Sequence, residues 1–175
     1  MNPKQLLAGT AIVDITPPLS NLIYGDFISH YSQTNHEKLY SKALALKGSE
    51  ETVVLVLVDI CYVQDLFFRS IRKDLEQKTG LPEKNFLFCY THTHSADLLH
   101  NASNLPYLRK LFVLIIDSVI SALGKLVPAK ISFGSADVSK YFVCNKCLTQ
   151  KGYETNYTVK GKSDFSITTF MMRKT

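Results

Sequence analysis

The sequence predicts an α/β domain in which helices pack on a mixed sheet containing at least one parallel strand–helix–strand unit. Three observations predict it. Val53-Val54-Leu55-Val56-Leu57-Val58 is apolar without alternation, the pattern of a strand covered on both faces. After it, Phe68, Ile71 and Leu75 recur at helical spacing until Gly80 and Pro82 end the helix. Asn85 to Tyr90 is then a second short apolar run. Strand, helix, strand at these lengths make a crossover, so the two strands should be parallel and joined right-handedly.

The flanking elements follow in order. Leu7 to Ile15 reads as a first strand, stopped by Pro17-Pro18, with Asp14 as a turn-former before the prolines. A loop rich in Asn, Ser, Tyr and Gly runs from Leu19 to about Glu37. Tyr40 to Lys47 alternates as a strand, and Gly48 to Glu51 turns it back. Asp65 is a candidate cap for the crossover helix. Pro106 opens a long helix whose stripe of Leu108, Leu111, Phe112, Ile115, Val119 and Leu126 marks a core face. Ile131 to Phe133, Tyr141 to Val143 and Ile167 to Met172 are further strand candidates, and Thr149 to Ser163 reads as a polar surface loop.

Size and composition bound the function. The 175 residues suffice for a single domain with a sizeable core, spanning 1–175. Hydrophobic residues at 46% and charged residues at 20% exclude disorder over most of the length. The net charge of +5 comes without a dense Lys/Arg block, so a solvated basic surface is expected and no nucleic-acid partner. Met1 to Leu7 lacks the apolar core of a signal peptide. Leu111 to Leu123 is too short, and too broken by Asp117, Ser118 and Ser121, to form a transmembrane segment. A cytoplasmic location is therefore expected. Cys61 and Cys89 end strand-like runs, where buried free thiols are common. Cys144 and Cys147 are spaced as half of a structural zinc site, with no second pair to complete it, and read as structural or incidental.

Thr91-His92-Thr93-His94-Ser95 follows the second parallel strand, and Asp59 follows the first. Parallel strands end at the same edge, where open α/β sheets keep their sites. In an extended segment, residues two apart face the same way, so His92 and His94 can point at one small volume. Imidazole is the commonest zinc ligand, and a carboxylate such as Asp59 can orient it from behind. Two polar residues in an ordinary loop remain the other reading of the pair. His30, His36 and His100 are isolated. No phosphate-binding glycine loop and no Gly-x-Ser-x-Gly elbow is present. A nucleophilic Cys89 is disfavoured because its side chain should point away from that of Tyr90.

Several segments together resemble the neutral/alkaline, non-lysosomal ceramidase family, at the N-terminal part of its catalytic domain. They are Ala8 to Pro18, Tyr24-Gly25, His36 to Leu46, the strand ending in Asp59, Gly80 to Asn85, and above all Thr91-His92-Thr93-His94-Ser95. The resemblance covers about residues 8 to 134. It implies zinc-dependent hydrolysis of an N-acyl bond, with a ceramide-like or other amide as substrate, His92 as a zinc ligand, and His94 at the reaction centre. Asp59 joins His94 as a candidate catalytic group. Ala96-Asp97 stands where the family commonly has Gly-Pro, so the loop is expected to turn differently. Asn145-Lys146 is the nearest counterpart of a family Asn-Arg, without the planar guanidinium.

The family's other zinc ligands, a His, a Glu and a Tyr, map beyond residue 175. The chain alone is therefore expected to be an incomplete domain that holds zinc weakly and hydrolyses little. Self-association or a partner chain would complete it, through apolar surface near Ile167 to Met172. The alternative function is a catalytically inactive remnant that acts as a binding module.

Overall fold

The computed structural model describes residues 5–24, 30–99, 104–137, 146–149 and 152–155. The chain forms two compact units, Met1–Ile131 and Ser132–Thr175. The first holds a five-stranded mixed sheet of β1 (Leu7–Asp14), β4 (Tyr40–Lys47), β5 (Thr52–Val58), β6 (Phe86–Tyr90) and β7 (Val127–Pro128). Their order across the sheet is β6-β5-β4-β1-β7. A small ladder pairs β2 (Leu22–Ile23) with β3 (His30–Tyr31). In the second unit, β8 (Lys146–Thr149) and β9 (Gly152–Thr155) form an antiparallel hairpin.

β5 and β6 are parallel, in register from Val54↔Phe86 to Val58↔Tyr90, and all other pairings in the sheet are antiparallel. The crossover helix α1 (Asp65–Thr79) buries Phe68, Ile71 and Leu75, the three residues whose spacing predicts it. Gly80 ends it at φ 73°, a left-handed conformation that a side chain would oppose. The cap is Gln64, without a side-chain bond. Asp65 instead occupies the first turn, where a negative charge suits the helix dipole, and pairs with Arg69 at 2.6 Å. The second helix, α2 (Leu105–Leu123), carries Pro106 in its first turn and buries Leu111, Ile115 and Val119.

Both helices contribute to one core with the inward residues Ala11, Ala43, Ala45, Val54, Val56, Val58, Phe86 and Phe88. Small residues on β1 and β4 let α2 approach. At Gly9 a Cβ would stand 2.1 Å from the carbonyl oxygen of Ala122, so only glycine fits.

The opposite face of the sheet departs from expectation. β5 buries alternate residues only, and Val53, Leu55 and Leu57 are 39%, 38% and 38% exposed. Register extends this apolar surface across the strands, through Thr10–Leu44–Leu55–Leu87 and Ile12–Lys42–Leu57–Cys89. Continuous apolarity shows that both faces avoid charge; it does not show that this chain covers both.

Other expectations are corrected more simply. Ile131 to Phe133 forms no strand, and Phe133 is 94% exposed. β9 falls inside the stretch read as a loop from Thr149 to Ser163, and β7 carried too short a signal to be seen. Tyr141 to Val143, Ile167 to Met172 and Cys144 lie outside the described residues.

The two faces should respond differently to truncation. Leu75→Ala, which empties a fully buried site, is expected to cost about 2–5 kcal/mol, whereas Leu87→Ala on the open face costs less than about 1 kcal/mol. Gly9→Ala should cost more than about 2 kcal/mol by forcing α2 away from β1. Urea unfolding midpoints of the three variants check the order.

Candidate metal centre

The parallel pair delivers two chain segments to one edge. After β5, the backbone N–H of Ile60 donates to the carbonyl of Val58 and tightens the turn that leads to Cys61. After β6, the N–H of Thr91 also donates to the Val58 carbonyl, at 3.1 Å, which prolongs the pairing by one step. His92 then adopts φ 59°, the left-handed region that residues with a Cβ rarely occupy. The segment is therefore not a regular extended strand, and the two imidazoles meet across this left-handed residue.

The rings of His92 and His94 lie 5.1 Å apart, edge to face. Nδ1 of His92 donates to the carbonyl oxygen of Cys61 at 2.9 Å and lies 3.9 Å from its Sγ. Donation from Nδ1 fixes the tautomer and leaves Nε2 with its lone pair. The Cys61 thiol is buried, and burial pushes its pKa up, so without a metal it stays protonated. One donor atom from each of Cys61, His92 and His94 lies within 4.8 Å of the others. Zinc bonds of about 2.0–2.1 Å to nitrogen and 2.3 Å to sulfur place donors roughly 3.3–3.6 Å apart around a tetrahedral ion. The set fits zinc in donor type and needs only a small inward movement of side chains. Exposure of both histidines leaves room for that movement.

Asp59 arrives at the same edge but takes another part. Its backbone N–H donates to the Tyr40 carbonyl at 2.9 Å, and its carboxylate accepts from the Tyr40 N–H at 3.0 Å and from Lys42 Nζ at 3.3 Å. It closes the end of the β4–β5 ladder, and the group behind His92 is the Cys61 carbonyl. Residues 91, 93 and 95 alternate with the histidines to line a cleft of about 550 Å³, together with Asp59, His36, Lys38 and Asp97. The cleft and the histidine cluster are thus lined by alternate residues of one segment. Asp14 does form a turn, accepting from the Thr16 N–H at 2.9 Å, and it pairs with Lys38 at 2.9 Å. Those bonds, to Thr16 first and Lys38 next, lower its pKa to about 2.

Ala96-Asp97 sets the path of the loop. Ile23 and Asp97 form a β-bridge, the Tyr24 N–H donates to the Ala96 carbonyl at 2.9 Å, and the Leu98 N–H donates to the Leu22 carbonyl at 2.7 Å. Asn21 Nδ2 donates to the Asp97 carboxylate. Burial raises the Asp97 pKa to about 6, against the smaller opposing effect of that bond. A row of aromatic rings also reaches the cluster: Tyr24 on Tyr62 at 6.2 Å, Tyr62 on Tyr90 at 6.4 Å, and Tyr90 on His92 at 6.3 Å.

Sequence reasoning found the two histidines and missed this row. Cys61 is the buried free thiol that its place at the end of a strand-like run leads one to expect, and it stands just beyond β5, level with the histidines beyond β6. Cys89 is exposed rather than buried. His30 and His36 are outside the cluster, and His100 lies outside the described residues.

Two solved structures share this arrangement of strands and helices. A ceramidase complexed with C2 and the neutral ceramidase from Pseudomonas aeruginosa each match at TM-score 0.62 and 19% identity, over 71% of this chain. The fold is neutral ceramidase-like. The chain corresponds to 22% of the length of either ceramidase. No family model and no curated protein matches the sequence.

Asp97 gives the site region a pH dependence. Its folded pKa of about 6 exceeds the ordinary 3.8, so the folded chain binds the proton more tightly. The resulting stability is fully present below about pH 4 and is lost as pH rises through about 6. Asp97→Asn, which keeps an acceptor for Asn21, should gain on the parent between pH 4 and 7 by on the order of 2–3 kcal/mol. Thermal melts of both proteins across that range measure the gap.

Proposed function

We propose that this chain is the histidine-bearing part of a zinc-dependent amidohydrolase that cleaves an N-acyl amide of the ceramide type. The observation that carries the reading is the meeting of the His92 and His94 rings at the edge of the β5–β6 pair, in a ceramidase-like backbone. Zinc at this place would lower the pKa of a bound water towards about 7 and make it a nucleophile at neutral pH. His92 would offer Nε2 to such a metal, its Nδ1–H being held by the Cys61 carbonyl. His94, exposed and beside it, donates a proton to the departing amine nitrogen. The tyrosine row supplies an apolar wall for a lipid chain.

The open sheet face supports a further part of the reading: a second copy or partner chain completes the domain. Unpaired Cys61 and Cys89 accord with a reducing, cytoplasmic location. No described helix is long and apolar enough to cross a membrane. A second reading, the inactive binding module, is favoured by Asp59, whose carboxylate is engaged by Tyr40 and Lys42 rather than by either histidine.

Fatty-acid release from an N-acyl sphingoid amide in detergent micelles separates the two. The hydrolase reading expects slow, zinc-dependent release that falls by about 100-fold or more in His94→Ala and His92→Ala. A protein that binds zinc through His92 and releases no fatty acid is the binding module.

A further inference from the structure

We infer that Cys61 is a metal ligand, and that its thiolate, with one ring nitrogen each from His92 and His94, forms a three-donor site contained within this chain. Three features converge on it. Cys61 is fully buried, yet its Sγ lies 3.9 Å from Nδ1 of His92, the nitrogen that donates to the Cys61 carbonyl, and the His94 ring stands 5.1 Å from that of His92. All three donors lie within 4.8 Å of one another, although the histidines are 31 and 33 residues from the cysteine along the chain. His92 holds the left-handed backbone at φ 59°, a conformation that residues with a Cβ rarely adopt and that surrounding interactions must hold in place.

The donor chemistry specifies the class of ion. One thiolate and two imidazoles suit zinc or copper(I), and disfavour magnesium and calcium, which take oxygen ligands. Three protein donors leave a fourth tetrahedral position for water or substrate. Binding replaces the thiol proton of Cys61 by the metal, and that proton passes to solvent. The inference shares the histidine pair with the hydrolase reading but does not require hydrolysis. His94 closes the resting site, and its part in proton donation belongs to the substrate-bound state.

Cobalt(II) is the probe, because thiolate coordination gives it an intense near-ultraviolet charge-transfer band. The full chain is used with Cys89, Cys144 and Cys147 replaced by serine, so that Cys61 is its one thiol. Titration under reducing, oxygen-free conditions should develop the band with about one cobalt per chain, and zinc should abolish it. His92→Ala and His94→Ala should each weaken binding by roughly tenfold or more. Cys61→Ser should lose the band while cobalt still binds, more weakly, through the two histidines, and its circular dichroism should match the parent's. Cobalt bound without the band, or a band that survives Cys61→Ser, overturns the assignment of Cys61 while leaving the histidine reading intact. No cobalt binding at micromolar concentration overturns the site altogether. The band present without fatty-acid release confirms the site and counts against the hydrolase.

Discussion

Parallel pairing of β5 with β6 is the constraint on which the rest depends. Five residue pairs, from Val54↔Phe86 to Val58↔Tyr90, fix the two strand ends side by side. Parallel strands cannot be joined by a tight turn, so the chain must cross over, and α1 makes that crossing while burying Phe68, Ile71 and Leu75. Cys61 leaves one strand end and His92 leaves the other, and the Nδ1-to-carbonyl bond between them spans the gap. The geometry of the histidine–cysteine cluster is therefore built on the core. Register is fixed by β-ladder bonds and helix packing.

The same pairing accounts for the uneven sheet. One face is closed by two helices over alanines, valines and phenylalanines, with Gly9 admitting the end of α2 against β1. The other carries leucines, valine and isoleucine at aligned positions on four strands, interrupted by Lys42. Lys42 covers some of this surface with its stem while its ammonium reaches Asp59 and the Tyr40 ring. Parallel pairs are ordinarily covered on both faces. A chain matching 22% of a much longer protein of the same fold carries that apolar face without a described layer over it.

Much of this was legible in the sequence, for physical reasons that also mark where legibility stopped. Period and punctuation gave the helix ending at Gly80, the strand from Tyr40 to Lys47 and the crossover, because each depends on neighbours within a few residues. The lone β7 pairing and the β8–β9 hairpin were missed because two to four residues hold too little pattern. At the site, His92 and His94 stand out as a pair in one motif. Cys61 lies 31 residues away, and nothing in its immediate neighbours in sequence shows that it stands beside them. Asp59 was chosen because carboxylates commonly orient imidazoles, yet the β4–β5 ladder presents Tyr40 N–H and Lys42 to it first.

The 91–95 segment divides its side chains between two environments. Odd-numbered residues line the polar cleft with Asp59, and even-numbered ones gather at Cys61. One stretch of backbone is therefore the wall between two environments. Its far end is held by the Ile23–Asp97 bridge and by Asn21 on the buried Asp97 carboxylate. Ionisation of Asp97 opposes burial at that anchor. A change there acts on both sides of the wall, since Ser95 and His94 share the backbone that Asp97 fixes. The cleft and the histidine–cysteine cluster are consequently joined by covalent geometry: Thr93 and Ser95 on one side share their backbone with His92 and His94 on the other.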